Sequence, residues 1–373
     1  MFYFGNNILR IILGEECNMN CLYCGQHANK NKIKPTEISE KFLDYMHYLN
    51  DILHYSGKIM QLQFFGGEPL LYFDKIKTII NYINTLQYDT FVYNITTNGK
   101  LLDEEKIKWF NENKFNVCLS WDGDNTDKTR FFDVIKDANF DIFNIECLSI
   151  SSVVTKYNYK YDIINAQQKI ADKYFDKTGR YIHGTNVIYM CDLNNDAHDL
   201  SKFDYNKLTD QYHKLFNKYR EYLLINNMEE KQKFFDKNYL FINYAKNYIE
   251  LINKEISNTN EIKSSFCDLI VDALPIDLEG NIYSCSQVMN KPIGNVITDD
   301  SKTLLNSYAQ SEYYIMNRRA NICKGCNAQL ICRGGCKLVD NNKLDSTCEL
   351  EKMKFDIIYN EIIETQKLLE EQN

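Results

Sequence analysis

From Ile8 to about Met190, short apolar runs alternate with longer amphipathic stretches, and this rhythm limits the fold more than any other feature of the chain. Short apolar runs read as strands covered on both faces, and apolar residues at three- and four-residue steps read as helices packed over them. Strands are predicted at Ile8–Leu13, Met60–Phe65, Phe91–Thr96, Asn116–Ser120, Ile145–Val154 and Thr185–Met190. Helices are predicted between them, at Glu37–Asp51, Asp74–Leu86, Asp103–Asn111, Asp127–Asp137 and Ile163–Phe175. Repeated βα units of this kind build an α/β fold on a parallel sheet. Six strands are too few to close an eight-stranded barrel, so the expectation is an open, partial (β/α)6 TIM-like barrel with its site at the C-terminal strand ends.

Beyond Met190 the strands are expected to stop. A tyrosine- and lysine-rich helical stretch runs to about Glu255, with Phe235, Tyr239, Ile242, Ile249, Ile252 and Ile256 on one face as core. The polar segment Ser257–Ser265 reads as a linker, a cysteine-rich segment follows, and Glu349–Leu369 reads as a terminal helix. The expected organisation is a barrel over 1–200, a helical connector over 201–262, a small cysteine-rich domain over 263–350 and a C-terminal helix over 351–373. At 373 residues, a large domain with a smaller one is also what core-size limits favour.

The formal charge of -8 argues against a nucleic-acid partner held by bulk charge. No apolar run reaches the roughly 18 residues that span a bilayer. The opening MFYFGNNILR lacks the pattern of a signal peptide, so a cytoplasmic protein is expected. Thirteen cysteines are out of place as disulfides in a reducing compartment, and metal ligation is the leading use.

Directly after the first strand comes Cys17-Asn-Met-Asn-Cys21-Leu-Tyr-Cys24. Three thiols in one loop suit a cubane cluster with its fourth iron left open to a small chelating ligand. Zinc is the alternative, with His27 as a fourth ligand. One residue past the second strand lies Gly66-Gly67-Glu68-Pro69, where paired glycines let a ligand approach the backbone and Pro69 starts a helix. Polar segments end the third and fourth strands: Thr96-Thr97-Asn98-Gly99, and Ser120-Trp121-Asp122-Gly123 with Arg130 beyond. Each is also readable as an ordinary turn.

The C-x3-C-x2-C loop with an aromatic before its last cysteine, followed by GGEP, resembles the radical S-adenosylmethionine superfamily. That resemblance implies that Cys17, Cys21 and Cys24 bind a catalytic [4Fe-4S] cluster and that Tyr23 lies against the adenine. It implies that Gly66, Gly67, Glu68 and Pro69 hold the methionine amino group, and that Asn98, Ser120 and Arg130 also face the cofactor, the last two at its ribose and carboxylate. The second cysteine group, Cys267-x12-Gly280-x4-Cys285, Cys323-x2-Cys326-x5-Cys332-x3-Cys336 and Cys348, resembles the SPASM domain of peptide-maturing radical enzymes. By that family's order, Cys323, Cys326, Cys332 and Cys348 hold one auxiliary cluster, and Cys267, Cys285 and Cys336 the other, which lacks an obvious fourth thiol. The implied cofactors are S-adenosyl-L-methionine and three [4Fe-4S] clusters. C-x2-C pairs alone would equally permit zinc. Cys118, Cys147 and Cys191 are expected to be buried thiols acting as small hydrophobes.

The chemistry implied is reductive cleavage of the sulfonium, hydrogen abstraction from an unactivated carbon and net oxidation of a substrate, giving a thioether, carbon–carbon or carbon–oxygen bond. A ribosomally made peptide is the expected substrate. The rivals are a sulfatase-type formylglycine maturase, a radical dehydrogenase of a small alcohol or sugar, and a non-enzymatic zinc protein. In the sulfatase maturases an aspartate follows the cysteine of G-x4-C, and here that position is Ser286, a poor base without a partner. Flavodoxin or ferredoxin is the expected electron donor. With no room before the first strand for a leader-gripping segment, a separate leader-binding protein is expected if a leader is read.

Overall fold

The computed structural model describes residues 1, 3, 5, 7–28, 36–155, 157–182, 184–189, 203–257, 273–286, 289, 291–307, 309–310, 323–332 and 344–371. Two compact units are present. The first comprises Met1–Trp121, Arg130–Ile150 and Cys267–Ile315, and the second Asp122–Thr129, Ser151–Phe266 and Met316–Asn373. Among the described residues no helix is long and apolar enough to cross a membrane.

The first unit holds strands β1 (Ile8–Ile12), β2 (Met60–Phe65), β3 (Phe91–Thr97) and β4 (Phe115–Ser120), with helices α1 (Glu40–Ser56), α2 (Phe73–Ile83) and α3 (Glu104–Glu112) between them. Neighbouring strands pair in parallel. Along β2 burial alternates: Met60, Leu62 and Phe64 are buried, while Gln61, Gln63 and Phe65 are half-buried. One face of the strand is therefore the closed, apolar one and the other the more open, more polar one. Helix α1 starts where the Ser39 side chain accepts from Phe42 N at 3.2 Å and ends at Gly57, whose φ of 63° closes the last turn. Its stripe of Phe42, Tyr45, Met46, Leu49 and Leu53 covers the sheet.

Strand β5 (Leu148–Val154) begins in the first unit, and the second unit continues with α4 (Thr126–Arg130), α5 (Lys160–Thr178), β6 (Gly184–Tyr189), α6 (Tyr205–Leu224) and α7 (Met228–Ser257). It closes with the single turn α8 (Gln329–Cys332) and the long α9 (Leu344–Glu370). Here α6 packs against α7 and α9, α5 against α6 and α7, and α8 against α7 and α9. Tyr239, Ile242 and Ile252 of the expected apolar face are buried, and Phe235 and Ile249 half-buried. Helix α7 bends at Asn238 (φ -135°), where the side-chain amide donates to Phe234 O at 3.0 Å.

All six expected strands are present, but the strands do not stop after Met190. Strand β7 (Ala273–Asp277) pairs in parallel with β1, setting Pro275 opposite Arg10, and β8 (Asn281–Ile282) and β9 (Gly294–Asn295) extend that side as antiparallel ribbons. A proline in the middle of Ala-Leu-Pro-Ile-Asp hides the strand pattern, because proline gives no ladder donor. The helix expected over Asp127–Asp137 ends at Arg130: Phe131 turns left-handed (φ 61°), and the Asp133 carboxylate takes the Trp121 indole N–H at 2.9 Å and Ile135 N at 3.0 Å. Strand β5 starts at Leu148 because Asp141 caps a 3-10 turn over Ile142–Asn144.

Candidate radical site and cysteine groups

Cys17, Cys21 and Cys24 are half-buried in the loop that leaves the C-terminal end of β1. Cys24 N donates to Cys21 O at 3.1 Å, and the Cys17 sulfur accepts from Met19 N at 3.4 Å. The loop is fastened to the segment after β2 by backbone bonds: Gly67 N to Gly14 O at 3.0 Å and Glu68 N to Glu16 O at 2.8 Å. A Cβ on Gly66 would lie 2.2 Å from Gly14 O, and one on Gly67 2.1 Å from Glu16 O. The paired glycines, expected to admit a ligand, are thus required first by the chain's own cysteine loop.

Glu68 is fully buried, and both its oxygens are used. Oε1 accepts from Leu70 N at 3.0 Å and from the Thr97 hydroxyl at 2.6 Å, while Oε2 accepts from Asn98 N at 2.9 Å. Burial holds its carboxyl above the usual range, against those hydrogen bonds and the Arg130 charge. This carboxylate ties the ends of β2 and β3 together, and Pro69 opens the short 3-10 turn that follows. From the end of β3 the Asn98 amide reaches back to Asn18 Oδ1 at 2.8 Å and the Cys17 sulfur at 3.9 Å. Tyr23 is buried with the Arg130 guanidinium 5.2 Å above its ring, and Ser120 ends β4 half-buried. The structure brings Cys17, Gly66, Gly67, Glu68 and Asn98 together, and pairs Tyr23 with Arg130. In the second unit the neighbouring Asp122 carboxylate is a structural anchor, accepting from Val153 N and Thr129 Oγ1.

A row of linked side chains across β1 to β4 went unnoticed in the sequence. Arg10 Nε donates to Gln63 Oε1 at 2.8 Å, and Gln63 Nε2 to Thr96 Oγ1 at 3.3 Å. Thr96 in turn bonds Cys118, whose thiol burial pushes up to about 11. Cys118 was expected to be a small hydrophobe but ends this row, and the Cys147 thiol donates to Asn116 Oδ1 at 3.8 Å. Cys191 lies outside the described residues. The signal available was Gln61 and Gln63 at alternate positions of β2, with Arg10 at the centre of the otherwise apolar β1.

Of the second cysteine group, Cys267 and Cys336 lie outside the described residues. Cys285 is half-buried after β8; its G-x4-C glycine, Gly280, turns at φ 82° and donates to Asp277 O at 3.1 Å. The next residue, Ser286, is buried: its hydroxyl accepts from Arg10 Nη1 at 2.7 Å, and its carbonyl from Gln26 Nε2 at 3.2 Å. In the second unit, Cys326 N donates to Cys323 O at 3.1 Å, Cys332 ends α8 and Cys348 lies in α9. Burial, then the Glu351 carboxylate, push the Cys332 thiol up to about 12; Lys354 opposes, and Cys348 and Cys323 add to the push.

A zinc ion with sulfur ligands at about 2.3 Å would gather them to about 3.8 Å of one another. Among the described residues the group of three ligand atoms within 4.8 Å is His213, Glu361 and Glu364, not a set of cysteines, and there Arg220 donates to Glu361 at 2.8 Å.

Residues 11–164 match the Radical SAM superfamily, and that domain, with the relatives below, supports an enzyme; a domain of this kind implies a [4Fe-4S] cluster and S-adenosylmethionine. Over 351 residues it is 23% identical to the cysteine-type anaerobic sulfatase-maturating enzyme of Clostridium perfringens, covering 90% of this chain and 89% of that one. Its fold matches that of native anSMEcpe with bound AdoMet and Cp18Cys peptide (TM-score 0.61, 20% identity, 96% and 99% of the two chains). It also matches Streptococcus suis SuiB bound to precursor peptide SuiA (TM-score 0.55, 16% identity, 91% and 73%).

Proposed function

We propose that this radical SAM enzyme oxidatively modifies a residue of a ribosomally made peptide. Cys17, Cys21 and Cys24 would hold the catalytic cluster, and Cys323, Cys326, Cys332 and Cys348, with Cys267, Cys285 and Cys336, two auxiliary ones. The bound cluster and S-adenosylmethionine supply one-electron cleavage of a sulfonium and an abstracting carbon radical. The chain supplies placement. Asn98 steadies Cys17, Glu68 locks the β2 and β3 ends against the cysteine loop, and Tyr23 beneath Arg130 offers an aromatic face for the adenine. Gly66, Gly67, Pro69 and Ser120 complete the cofactor's surroundings. A flavodoxin- or ferredoxin-type protein of the cytoplasm would supply the electron.

The Ser286–Arg10 contact carries the choice of substrate. A serine hydroxyl that accepts from a guanidinium at 2.7 Å keeps its O–H to donate, and the adjoining positive charge makes its remaining lone pair a still weaker base than a free hydroxyl, unlike an aspartate at that position. The sulfatase-maturating relatives and the peptide-bound neighbours support a peptide substrate in general. Formylglycine formation is the second reading, favoured by relatives aligned over nine-tenths of the chain.

Co-expression with a short peptide encoded nearby, followed by mass spectrometry, should show loss of two hydrogens per modification. An unchanged peptide mass from preparations that do cleave the cofactor rejects a peptide substrate of this kind. Conversion of a cysteine or serine of a sulfatase peptide to the aldehyde establishes the second reading, and turnover without any peptide points to a small alcohol or sugar.

A further inference from the structure

The segment that follows Arg130 is pinned at two points to the ends of β3 and β4. The Asp133 carboxylate takes the Trp121 indole N–H at 2.9 Å, just past the end of β4. Val134 is buried against Gly99, just past the end of β3, where an added Cβ would run into the Val134 side chain. Between these points the chain turns, Asp133 N donating to Asp137 Oδ2 at 2.9 Å and Asp137 N to Asp133 O at 2.7 Å. Phe132 is half-buried, with the Lys100 ammonium 5.9 Å from its ring centre. Phe131 differs from its neighbours: it is 61% exposed, and its φ of 61° lies in the left-handed region. Single exposed apolar side chains are common, and so are left-handed turns where glycine, asparagine or aspartate stands. The two together in a phenylalanine are not. Asparagine at this position would relieve the backbone and expose no ring. Strain of this kind persists where the surrounding structure enforces it, and it gathers at ligand sites. The residue just before, Arg130, lies over Tyr23, the pair read above as the adenine's neighbours.

We infer that the Phe131 ring is a binding surface for an apolar side chain of the peptide substrate, offered at the C-terminal ends of the strands next to the cofactor's place. The inference rests on the peptide reading above and deepens it, because the peptide then carries an aromatic or aliphatic residue flanking the one that is modified. A ring and an apolar side chain leave water together when they meet, so the exposure that is unfavourable in the free enzyme turns into affinity on binding. Phe131 is a binding residue and touches no reacting atom.

The test uses the full-length, anaerobically reconstituted enzyme with whichever of the two peptides above it modifies, the one encoded nearby or the sulfatase peptide. Steady-state kinetics and thermal unfolding are measured for each variant. Phe131→Asn should raise KM for the peptide about tenfold, a common loss on removing an aromatic contact. Its kcat should stay within about twofold, as for an interaction equal in ground and transition states. The same variant should unfold at a higher temperature than the natural enzyme, because asparagine accepts a φ of 61°; a ring with only a structural role would give the opposite shift. Phe131→Trp, which keeps an aromatic face, should leave KM near its natural value. A peptide whose apolar residues beside the modified one are replaced by serine should bind the natural enzyme as weakly, and lose nothing further with Phe131→Asn. Equal KM for the natural enzyme and Phe131→Asn, or an unfolding temperature that does not rise, overturns the inference. A natural enzyme that cleaves the cofactor but modifies neither peptide overturns the peptide reading beneath it, and the role of Phe131 falls with that reading.

Discussion

The loop of Cys17, Cys21 and Cys24 is fastened by main chain: two backbone bonds and two glycines pressed onto carbonyl oxygens set its path, and side chains only trim it. In the group of Cys323, Cys326, Cys332 and Cys348, Cys332 ends α8 and Cys348 lies in α9, with the charges of Glu351 and Lys354 acting on Cys332. In the first region a methyl group in the wrong place is the threat. In the second, the side chains of two helices set where the thiols stand.

The largest effect should separate the two regions outright. Cys24→Ala should reduce 5'-deoxyadenosine release under strong reductant to background, whereas Cys348→Ala should retain release while abolishing peptide modification; equal loss in both would erase the distinction. Next, Asn98→Ala should lower cofactor cleavage about 10- to 100-fold, the usual cost of losing a residue that orients a metal ligand. A normal rate would mean the backbone alone secures Cys17.

Gly67→Ala should then cost about 3 kcal/mol, at the upper end of overpacking, because its Cβ meets backbone that cannot step aside. Gly57→Ala, in open space at φ 63°, should cost only about 1 kcal/mol. Thermal unfolding of the two variants measures the difference. The smallest effect is a pH dependence. Because folding raises the Glu68 carboxyl, its contribution is fully present below the ordinary carboxylate range and declines as pH rises through the raised value. Glu68→Gln should remove that decline, and denaturant titrations from mildly acidic to neutral pH will show whether the slope flattens.

Most of the sheet was legible because strands β1 to β6 carry apolar runs bounded by turn residues. The missed strand, β7, has a proline at its centre, and its partner is far away in the chain. The motif residues were legible as types at fixed spacings, but the use made of them was not. Nothing in Gly-Gly-Glu-Pro says that Glu68 spends both oxygens on Leu70, Thr97 and Asn98. Likewise, Arg10 and Ser286 stand 276 positions apart, and only the register of β1 against β7 brings their neighbourhoods together.

That register has a consequence for how the protein is made. Ala273 joins its partner Ile8 across 265 intervening steps of chain, so β1 leaves the ribosome with one flank bare. Its amide and carbonyl groups stay open to any passing strand until the carboxyl-terminal third emerges. A chain stopped before Ala273 would keep the whole amino-terminal cysteine loop yet present a sticky border beside it, and crowding or slow translation should make such fragments self-associate.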